Sequence, residues 1–260
     1  ESVVEIYLPS LACRFAAHGG VFRSCSVHLL SENLTWQTSF KLVLPHLFLF
    51  VLLTFLFSRM WCGWVCPLGA IQDAMTWLRL RFSAPAWPVP EALGRFLFKL
   101  RHFLLWATLA ISALIALPVL GRAGINDSLF LWYCQLCPSR LLYPALGGVM
   151  PCYWDGSNGI TIFMSLVGLG AFGVFLFCFL VPRLWCRICA IGALLSYFNR
   201  GSLPYLRKDA RKCTSCGTCR RVCPVGVERV YRDMDHKVVT DGECVLCLRC
   251  VEPVSYTHLR

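Results

Sequence analysis

The stretch KCTSCGTCRRVCP, Lys212–Pro224, decides how the C-terminal part of this chain folds, because its cysteines recur at short fixed intervals. They follow the spacing C-x2-C-x2-C-x3-C, and a proline comes directly after the last one. Two-residue gaps let a short loop wrap around a compact inorganic group and present three thiolates to it. Thiolates are soft, anionic ligands that suit zinc and iron–sulfur clusters. The stretch therefore predicts metal-binding cysteines, namely Cys213, Cys216, Cys219 and Cys223.

A second run, CVLCLRC at Cys244–Cys250, repeats the two-residue gap. The combined pattern is typical of domains that hold two 4Fe–4S clusters, in which the fourth cysteine of one run ligates the other cluster. A zinc ribbon, the alternative, uses two C-x2-C pairs and not two triplets. We expect one cluster on Cys223, Cys244, Cys247 and Cys250, and the other on Cys213, Cys216, Cys219 and the residue at position 254.

The second run stops one ligand short, because position 254 is Val254 and the last residues, PVSYTHLR, contain no cysteine. Up to Glu252 the sequence follows the two-cluster pattern. We interpret residues 253–260 as a non-native tail, read through from a cloning or sequencing adapter, on a fragment truncated at both ends. The alternative is a true three-thiolate site. In either case, one of the two expected clusters lacks its fourth cysteine in this chain.

The composition indicates a membrane protein. The 260 residues are 57% hydrophobic and 15% charged, whereas soluble domains carry about 25% charged residues. Three apolar stretches reach the length of about 17–20 residues that a membrane span needs. They are residues 42–58, 103–120 and 160–182, and buried core helices of a soluble protein are the alternative. We predict an α-helical transmembrane domain over residues 42–200 with at least three spans, then an α+β ferredoxin-like domain over residues 204–252.

The distribution of charge predicts the orientation. Residues 59–102 carry six Lys/Arg and two acids, and residues 183–260 carry fourteen Lys/Arg and seven acids. The segment 121–159 carries two of each. Because cytoplasmic loops are enriched in Lys and Arg, we expect a multi-pass protein of the bacterial cytoplasmic membrane with its ferredoxin-like domain in the cytoplasm. Segments 1–41 and 121–159 then lie outside, and the net charge of +11 reflects this bias and not nucleic-acid binding.

A repeated motif follows two of the spans. WCGWVCPLGA begins at Trp61 and WCRICAIGALL begins at Trp185, and each comes just after an arginine that closes a span. We interpret the two as a duplication. Together they supply four thiolates, enough for a further cluster or another metal at the membrane edge, although buried cysteines also occur as inert core residues. These cysteines are Cys62, Cys66, Cys186 and Cys189.

Other cysteines and histidines are expected on the outer side. The loop YCQLCPSRLLYP contains Cys134 and Cys137, which are candidates for a metal site, a redox disulfide or a structural disulfide. Cys178 is expected to pack within the third span. His46 and His102 fall at opposite faces of the membrane, which argues against one haem bound by both. The remaining candidates on the outer side are Cys13, His18, Cys25, His28 and Cys152.

The two edge motifs and the two cysteine runs resemble the membrane-bound 4Fe–4S polyferredoxins over residues 55–252. That family includes the quinol-dehydrogenase-type subunit of periplasmic nitrate reductase, a methylamine-dehydrogenase relative, part of the nitrous-oxide-reductase regulators and an accessory protein of haem-copper oxidase assembly. Its members usually carry C-x3-C-P twice, whereas the second pair here is C-x2-C followed by Ala190. The resemblance implies several spans, a cytoplasmic double-cluster domain and electron passage between cytoplasm or quinone pool and an outer redox partner.

The expected function is a one-electron relay, so the chain is an electron-transfer component and not a self-contained catalyst. The excess of Lys and Arg over residues 207–221 favours the reduced, more negative clusters and an acidic redox partner. Membrane lipid and quinone are the other expected partners. Two alternatives stay open: a copper or oxidase assembly factor that uses the outer cysteines, and a redox-sensing regulator.

Overall fold

A computed structural model of the chain describes residues 27, 30–31, 40–87, 89–115, 132–146 and 159–253. Nearly all of the predicted outer segment 1–41 and the whole of residues 254–260 lie outside this part, so the predictions made for them stay predictions. The first half of the described chain is built from four helices joined by short connections. They are α1 (Phe40–Phe57), α2 (Met60–Trp64), α3 (Pro67–Arg81) and α4 (Glu91–Ile115).

The second half begins with two short helices that contain the CQLCP segment, and it continues through a long apolar helix to the second edge motif. Single 3₁₀ turns cover Phe177–Phe179 and Trp185–Arg187. The α-helices are α5 (Trp132–Leu136), α6 (Ser139–Leu146), α7 (Gly159–Leu176) and α8 (Ala190–Phe198). Helix α5 packs on α7, and α8 packs on α4.

Two helices of the described residues are long and apolar enough to cross a bilayer: Glu91–Ile115 and the segment Ile162–Phe179. In each of them only 22% of the apolar window is buried by protein. A core helix of a soluble protein would be mostly buried, so these outward apolar faces favour a lipid environment. The first predicted span forms helix α1, whose described apolar part, Leu47–Phe57, is shorter. A third span therefore stays a prediction.

Helix α4 begins at Glu91, twelve residues before the predicted start of the second span at residue 103. The predicted start is too late because the charges of Arg95, Lys99 and Arg101 excluded these residues from the predicted span. Arg101 is 0% exposed and forms an ion pair with Glu243, far along the chain. A buried charge that is paired with a carboxylate does not have to end a helix, and the sequence alone does not show that Arg101 has the partner Glu243.

The C-terminal domain has little regular structure. It contains two one-turn helices, α9 (Thr218–Arg221) and α10 (Arg229–Arg232), and a 3₁₀ turn at Ala210–Lys212. The β part of the predicted α+β fold amounts, within the described residues, to one isolated antiparallel bridge between Arg207 and Val238. Two cysteine loops take up most of the domain, which leaves few residues to pair. Its small core is formed by Leu206, Val230, Val239 and Leu246.

Candidate iron–sulfur sites

The two cysteine runs share one backbone conformation. In the first run, Cys213–Cys219, left-handed residues occur at Ser215 (φ 53°) and Gly217 (φ 71°). In the second run, Cys244–Cys250, they occur at the equivalent positions Leu246 (φ 47°) and Leu248 (φ 59°). A left-handed conformation costs an ordinary side chain about 1–2 kcal/mol. Alternation of right- and left-handed residues turns successive N–H groups inward and forms the anion-binding concavities found at many Fe–S sites.

Five cysteines gather around the second run, and the crossed ligand assignment stays a prediction. An apolar cavity is lined by Cys223, Cys244, Cys247 and Cys250 together with Cys219. Burial, together with the neighbouring thiols, raises the pKa of Cys244 to about 11 and that of Cys250 to about 12. Bare thiolates would repel one another here, so the arrangement suits a group that brings its own positive metal ions.

The first run is the more exposed one. The Cys216 side chain is solvent-exposed, and hydrogen bonds from the Thr218 hydroxyl and backbone N–H lower its pKa. Burial raises the pKa of Cys219, whose thiol also interacts with those of Cys213 and Cys216. Cys213 and Cys216 thus lie toward the surface, whereas Cys219 also lines the cavity of the second run. Position 254 lies outside the described residues, so the fourth ligand of the first run stays a prediction.

The two edge motifs place their second cysteines identically. Cys66 has φ −63° and ψ 118° and precedes Pro67 at the start of α3. Cys189 has φ −62° and ψ 123° and precedes Ala190 at the start of α8. The replacement of proline by alanine therefore leaves this geometry intact, and the shorter C-x2-C spacing does not move Cys189 away from the equivalent place.

The four edge thiols lie close enough to influence one another. Burial raises the pKa of Cys62, and the thiols of Cys66, Cys186 and Cys189 raise it further, whereas Arg59 lowers it. Gln72, fully buried, donates from Nε2 to the Cys186 sulfur at 3.4 Å. Among the described residues, no group of three or more His, Cys, Asp or Glu side chains is placed to hold a single metal ion.

Unsatisfied donors surround this set. Buried nitrogens without a hydrogen-bond partner in the described residues include the indole N–H groups of Trp61 and Trp185 and the Nε atoms of Arg59 and Arg187. Each lies within three residues of an edge cysteine. Buried donors without acceptors are costly, so a group rich in acceptors fits here. A thiolate-bound iron–sulfur cluster is such a group, and in both regions the residues present fit it.

The edge set and the C-terminal set share one hydrophobic cluster. Cys62 is buried in it with Leu195, Val225, Val227 and Val245, and four further residues pack against it. Those four are Cys186, Ile191, Cys223 and Cys247. Cysteines from both sets therefore line the same dry contact.

Close backbone packing fixes this contact. A Cβ added to Gly63 would stand 2.3 Å from the Val245 carbonyl oxygen, so only glycine fits. Trp64 Nε1 donates to the Leu246 carbonyl at 3.0 Å. Asn199 Nδ2 donates to the carbonyl of Cys244 at 2.9 Å. The second run is thus held directly against the first edge motif and the end of α8.

The CQLCP segment lies closer to the edge set than the sequence suggests. Cys137 packs against the same apolar core as Cys66 and Cys189. The Ala190 N–H donates to the Tyr133 hydroxyl at 2.9 Å, next to buried Cys134. The predicted outer location of this loop stays a prediction, and in the structure Cys137 packs in the edge region. The paths that lead into and out of the loop, 116–131 and 147–158, lie outside the described residues.

Comparisons with known proteins agree with these sites. A 4Fe–4S binding domain model matches residues 44–85 and 162–212, which contain both edge motifs, and a 4Fe–4S dicluster domain model matches residues 205–253. The chain is 29% identical to the ferredoxin-type protein NapH of Escherichia coli, over 79% of this chain and 63% of NapH. These homologues and domains match the membrane-bound 4Fe–4S polyferredoxins that the cysteine motifs resemble.

Two further relatives extend the range of this polyferredoxin family. The methylamine utilization ferredoxin-type protein MauN of Methylobacillus flagellatus is 27% identical over 65% of this chain and 50% of its own length. The regulatory protein NosR of Pseudomonas aeruginosa is 26% identical over 86% of this chain but 28% of its own length. The chain thus spans about half to two thirds of its ferredoxin-type relatives. No solved structure matches it significantly.

The remaining candidates of this polyferredoxin fall into two groups. Cys178 is fully buried and donates its thiol to Gln72 Oε1 at 3.3 Å, a packing role as predicted. The His102 ring contacts the Phe98 carbonyl and the Tyr197 ring. The side chain of His46 is outside the part of the molecule that the structure describes, as are Cys13, His18, Cys25, His28 and Cys152.

Sequence reasoning missed the charged and amide residues around the edge set. Arg59 and Arg183 are each 1% exposed, and each precedes an edge motif by the same spacing, R-x-W-C. This repeated arginine was the available signal. For Gln72 and Glu243 no local pattern existed, because their partners, Cys186 and Arg101, are more than 100 residues away along the chain.

Proposed function

We propose that this chain is a membrane-anchored one-electron relay, whose cysteines hold 4Fe–4S clusters in the C-terminal domain and a further iron–sulfur group at the edge pairs. The observation that carries this proposal is the shared hydrophobic cluster that contains Cys62 and Cys186 from the edge set and Cys223 and Cys247 from the C-terminal set. A dry contact between two cysteine sets is what electron exchange between them needs. The two matched 4Fe–4S domain models support the cofactor class.

The proposed ligand sets follow the thiols that the fold gathers. A 4Fe–4S cluster, when bound, supplies one-electron redox chemistry, and the protein tunes it through burial and hydrogen bonds to sulfur. Residues with positive φ recur at equivalent positions of the two runs, a backbone pattern found in anion-binding loops, and Gln72 donates toward Cys186. The proposed sets are Cys213, Cys216 and Cys219; Cys223, Cys244, Cys247 and Cys250; and Cys62, Cys66, Cys186 and Cys189.

We propose that a soluble redox protein with an acidic face exchanges electrons at the first run. Cys216 is exposed there, and Arg211, Lys212, Arg220 and Arg221 around it are exposed as well. A basic surface steers an acidic partner by long-range attraction. The Lys/Arg bias of residues 183–260 supports a cytoplasmic location for this face under the positive-inside rule.

A quinone is the second partner that we propose. A cavity of about 820 Å³ opens between the start of α4 and the C-terminal domain, and it has apolar walls at Trp87, Phe98 and Pro182 beside Cys223 and Arg187. Ligand pockets commonly measure about 300–1,000 Å³, and ten charged residues also line this cavity, among them Glu91, Arg95 and Asp241. Its position between a membrane-spanning helix and a cysteine set supports this assignment.

A redox-sensing regulator is the second candidate function, because NosR, named a regulatory protein, aligns with 86% of this chain. The two candidates differ in what they require of the outer region. A relay needs a redox exit beyond the edge set, for which Cys134 and Cys137 are the nearest thiols. A sensor needs only a change of conformation when its clusters change charge.

The test is anaerobic purification of the chain and of two variants, Cys223→Ser and Cys178→Ser. Iron, acid-labile sulfide and the EPR spectrum of dithionite-reduced protein are measured. Cys223→Ser is expected to lose about four irons and one EPR component, since each cubane holds four irons, and Cys178→Ser is expected to match the parent. Stoichiometric zinc with no sulfide in the parent protein would sink the proposal.

Electron passage is tested separately in vesicles with dithionite on the cytoplasmic side and ferricyanide enclosed. A relay reduces the enclosed oxidant, and Cys134→Ser with Cys137→Ser slows it while the EPR spectrum of the C-terminal clusters persists. If the enclosed ferricyanide stays oxidised while the clusters are reduced, the sensor function replaces the relay.

A further inference from the structure

Arg187 stands at the junction of the two cysteine sets. It lies between Cys186 and Cys189 in the second edge motif, and it is 8% exposed. Its Nη2 donates to the Pro224 carbonyl at 3.3 Å. A Cβ added to Gly226, which has φ 71°, would stand 3.0 Å from the same nitrogen. The guanidinium is therefore pressed against the turn that follows Cys223.

Arg187 forms no ion pair with a carboxylate in the described part of the chain. Its electrostatic partners there are the sulfurs of Cys223 and Cys186, one from each set. Its Nε is buried without a hydrogen-bond partner. An uncompensated buried charge costs several kcal/mol, so the position of Arg187 calls for an anionic neighbour on both sides.

The wider charge balance points the same way. Four buried guanidinium groups surround the edge set, and the two carboxylates that pair with them, Glu243 and Asp73, leave an excess of positive charge. Thiolate-bound clusters are anionic, and reduction adds one negative charge. A fixed cation stabilises the reduced state more than the oxidised one. The arginines are Arg59, Arg101, Arg183 and Arg187.

We propose that Arg187 is a positioning residue shared by both groups, and that its charge raises the reduction potential of the edge group and of the Cys223 group together. The inference rests on the proposed function, because it requires iron–sulfur groups at both sets. The duplicated motifs differ at this position: the residue after the first cysteine is Gly63 in one and Arg187 in the other. Only the second motif therefore places a charge at the junction.

The experiment uses the full chain, purified anaerobically, and its variants Arg187→Gln, Arg187→Met and Arg187→Lys. Arg200→Gln, at an exposed site, is the matched control. Iron and sulfide are counted, and both midpoint potentials are measured by EPR-monitored titration with dithionite. In the Gln and Met variants both potentials are expected to fall by at least 59 mV, a tenfold change in a one-electron equilibrium. In the Lys variant and the control the shift stays smaller.

The outcomes separate the inference from the proposed function. Loaded neutral variants with unchanged potentials, or a shift at one group alone, overturn the shared role and leave the relay standing. If both neutral variants fail to take up iron and Arg187→Lys takes it up, the requirement is for charge and the inference holds. If all three fail, the role is the shape of the guanidinium and the inference falls. Absence of iron and sulfide from the parent protein removes the proposed function itself.

Discussion

The carboxylate of Glu243 should hold the C-terminal domain on the membrane domain, and Glu243→Gln tests this. Glu243 accepts from Arg59 Nη1 at 3.0 Å and from Arg101 Nη2, and the two arginines are 1% and 0% exposed. Arg59 keeps a second partner, the Gly242 carbonyl at 3.2 Å. For Arg101, whose Nε and Nη1 lack partners in the described residues, Glu243 is the charged neighbour that matters.

Removing one partner of a buried ion pair typically costs about 3–5 kcal/mol. A glutamine oxygen still accepts one hydrogen bond, so we expect the lower end, about 3 kcal/mol. Glu228→Gln is the matched control, because Glu228 also pairs with two arginines, Arg220 and Arg232, which are 45% and 62% exposed. Exposed pairs contribute about 0–1 kcal/mol. The same substitution thus separates burial from the number of partners.

The assay is trypsin cleavage after Arg200, followed by mass spectrometry in detergent. The Arg200 side chain is exposed, but its neighbour Asn199 is 1% exposed and donates to the Asp241 and Cys244 carbonyls. Trypsin therefore reaches this backbone only when the junction opens. When the C-terminal domain recloses on the membrane domain faster than trypsin cuts, the cleavage rate follows the population of the open, separated form. Every 1.4 kcal/mol is tenfold, so Glu243→Gln should raise cleavage about 100-fold and Glu228→Gln less than about fivefold. Equal rates in the two variants would refute the reasoning. Adding Arg101→Met to Glu243→Gln should restore protection.

Three further outcomes are expected. Gly63→Ala should destabilise the junction by about 1–3 kcal/mol through overpacking, whereas Gly170→Ala, whose added Cβ meets nothing within 4 Å, should not; denaturant unfolding in detergent measures both. Gln72→Leu removes a donor to an edge sulfur at 3.4 Å, so potentiometry should show a lower edge potential, by about 59 mV or less. The pKa of Asp233 is lowered from 3.8 to about 2, mainly by the His236 backbone N–H. Its stabilisation is thus present above pH 3.8 and lost as pH falls toward 2, and Asp233→Asn should remove this dependence from unfolding curves; an unchanged curve would contradict it.

The local patterns were readable from sequence, and the long-range ones were not. The equal cysteine spacing of the two runs predicted a repeated loop, and the two runs do share left-handed residues at equivalent positions. Which thiols hold which cluster stays a prediction. The left-handed Leu246 and Leu248 were unpredictable from residue type, since leucine rarely adopts φ near 50°. Leu246 and Leu248 occupy the positions equivalent to Ser215 and Gly217 in the first run. This equivalence shows that the loop geometry overrides the preference of the side chain.

Buried charge was the main feature that sequence reasoning missed. Arginines near the ends of spans predict on which side of the membrane a loop lies, and Arg59 and Arg183 do follow the predicted spans. Their burial depends on Glu243 and Asp73, which tertiary contacts supply from 184 and 110 residues away. Helix α4 shows the same effect. The charge of Arg101 predicted that the span begins only after this residue, but the helix runs through it. A charge count predicts a side of the membrane, but it does not distinguish an exposed arginine from one enclosed in the fold.

The duplicated motifs meet one cysteine set from two directions. The first motif packs Gly63 against the Val245 carbonyl in the second run, and the second motif packs Arg187 against the turn after Cys223. By the crossed pattern, Cys223 and the second run serve the same group. If the two motifs made identical contacts, they would pack against the two cysteine runs in the same way. In the structure one copy contributes close backbone packing at Gly63 and the other contributes the charge of Arg187. Under the proposed ligand sets, the first motif would fix the distance to the group on the second run and the second motif would set its potential.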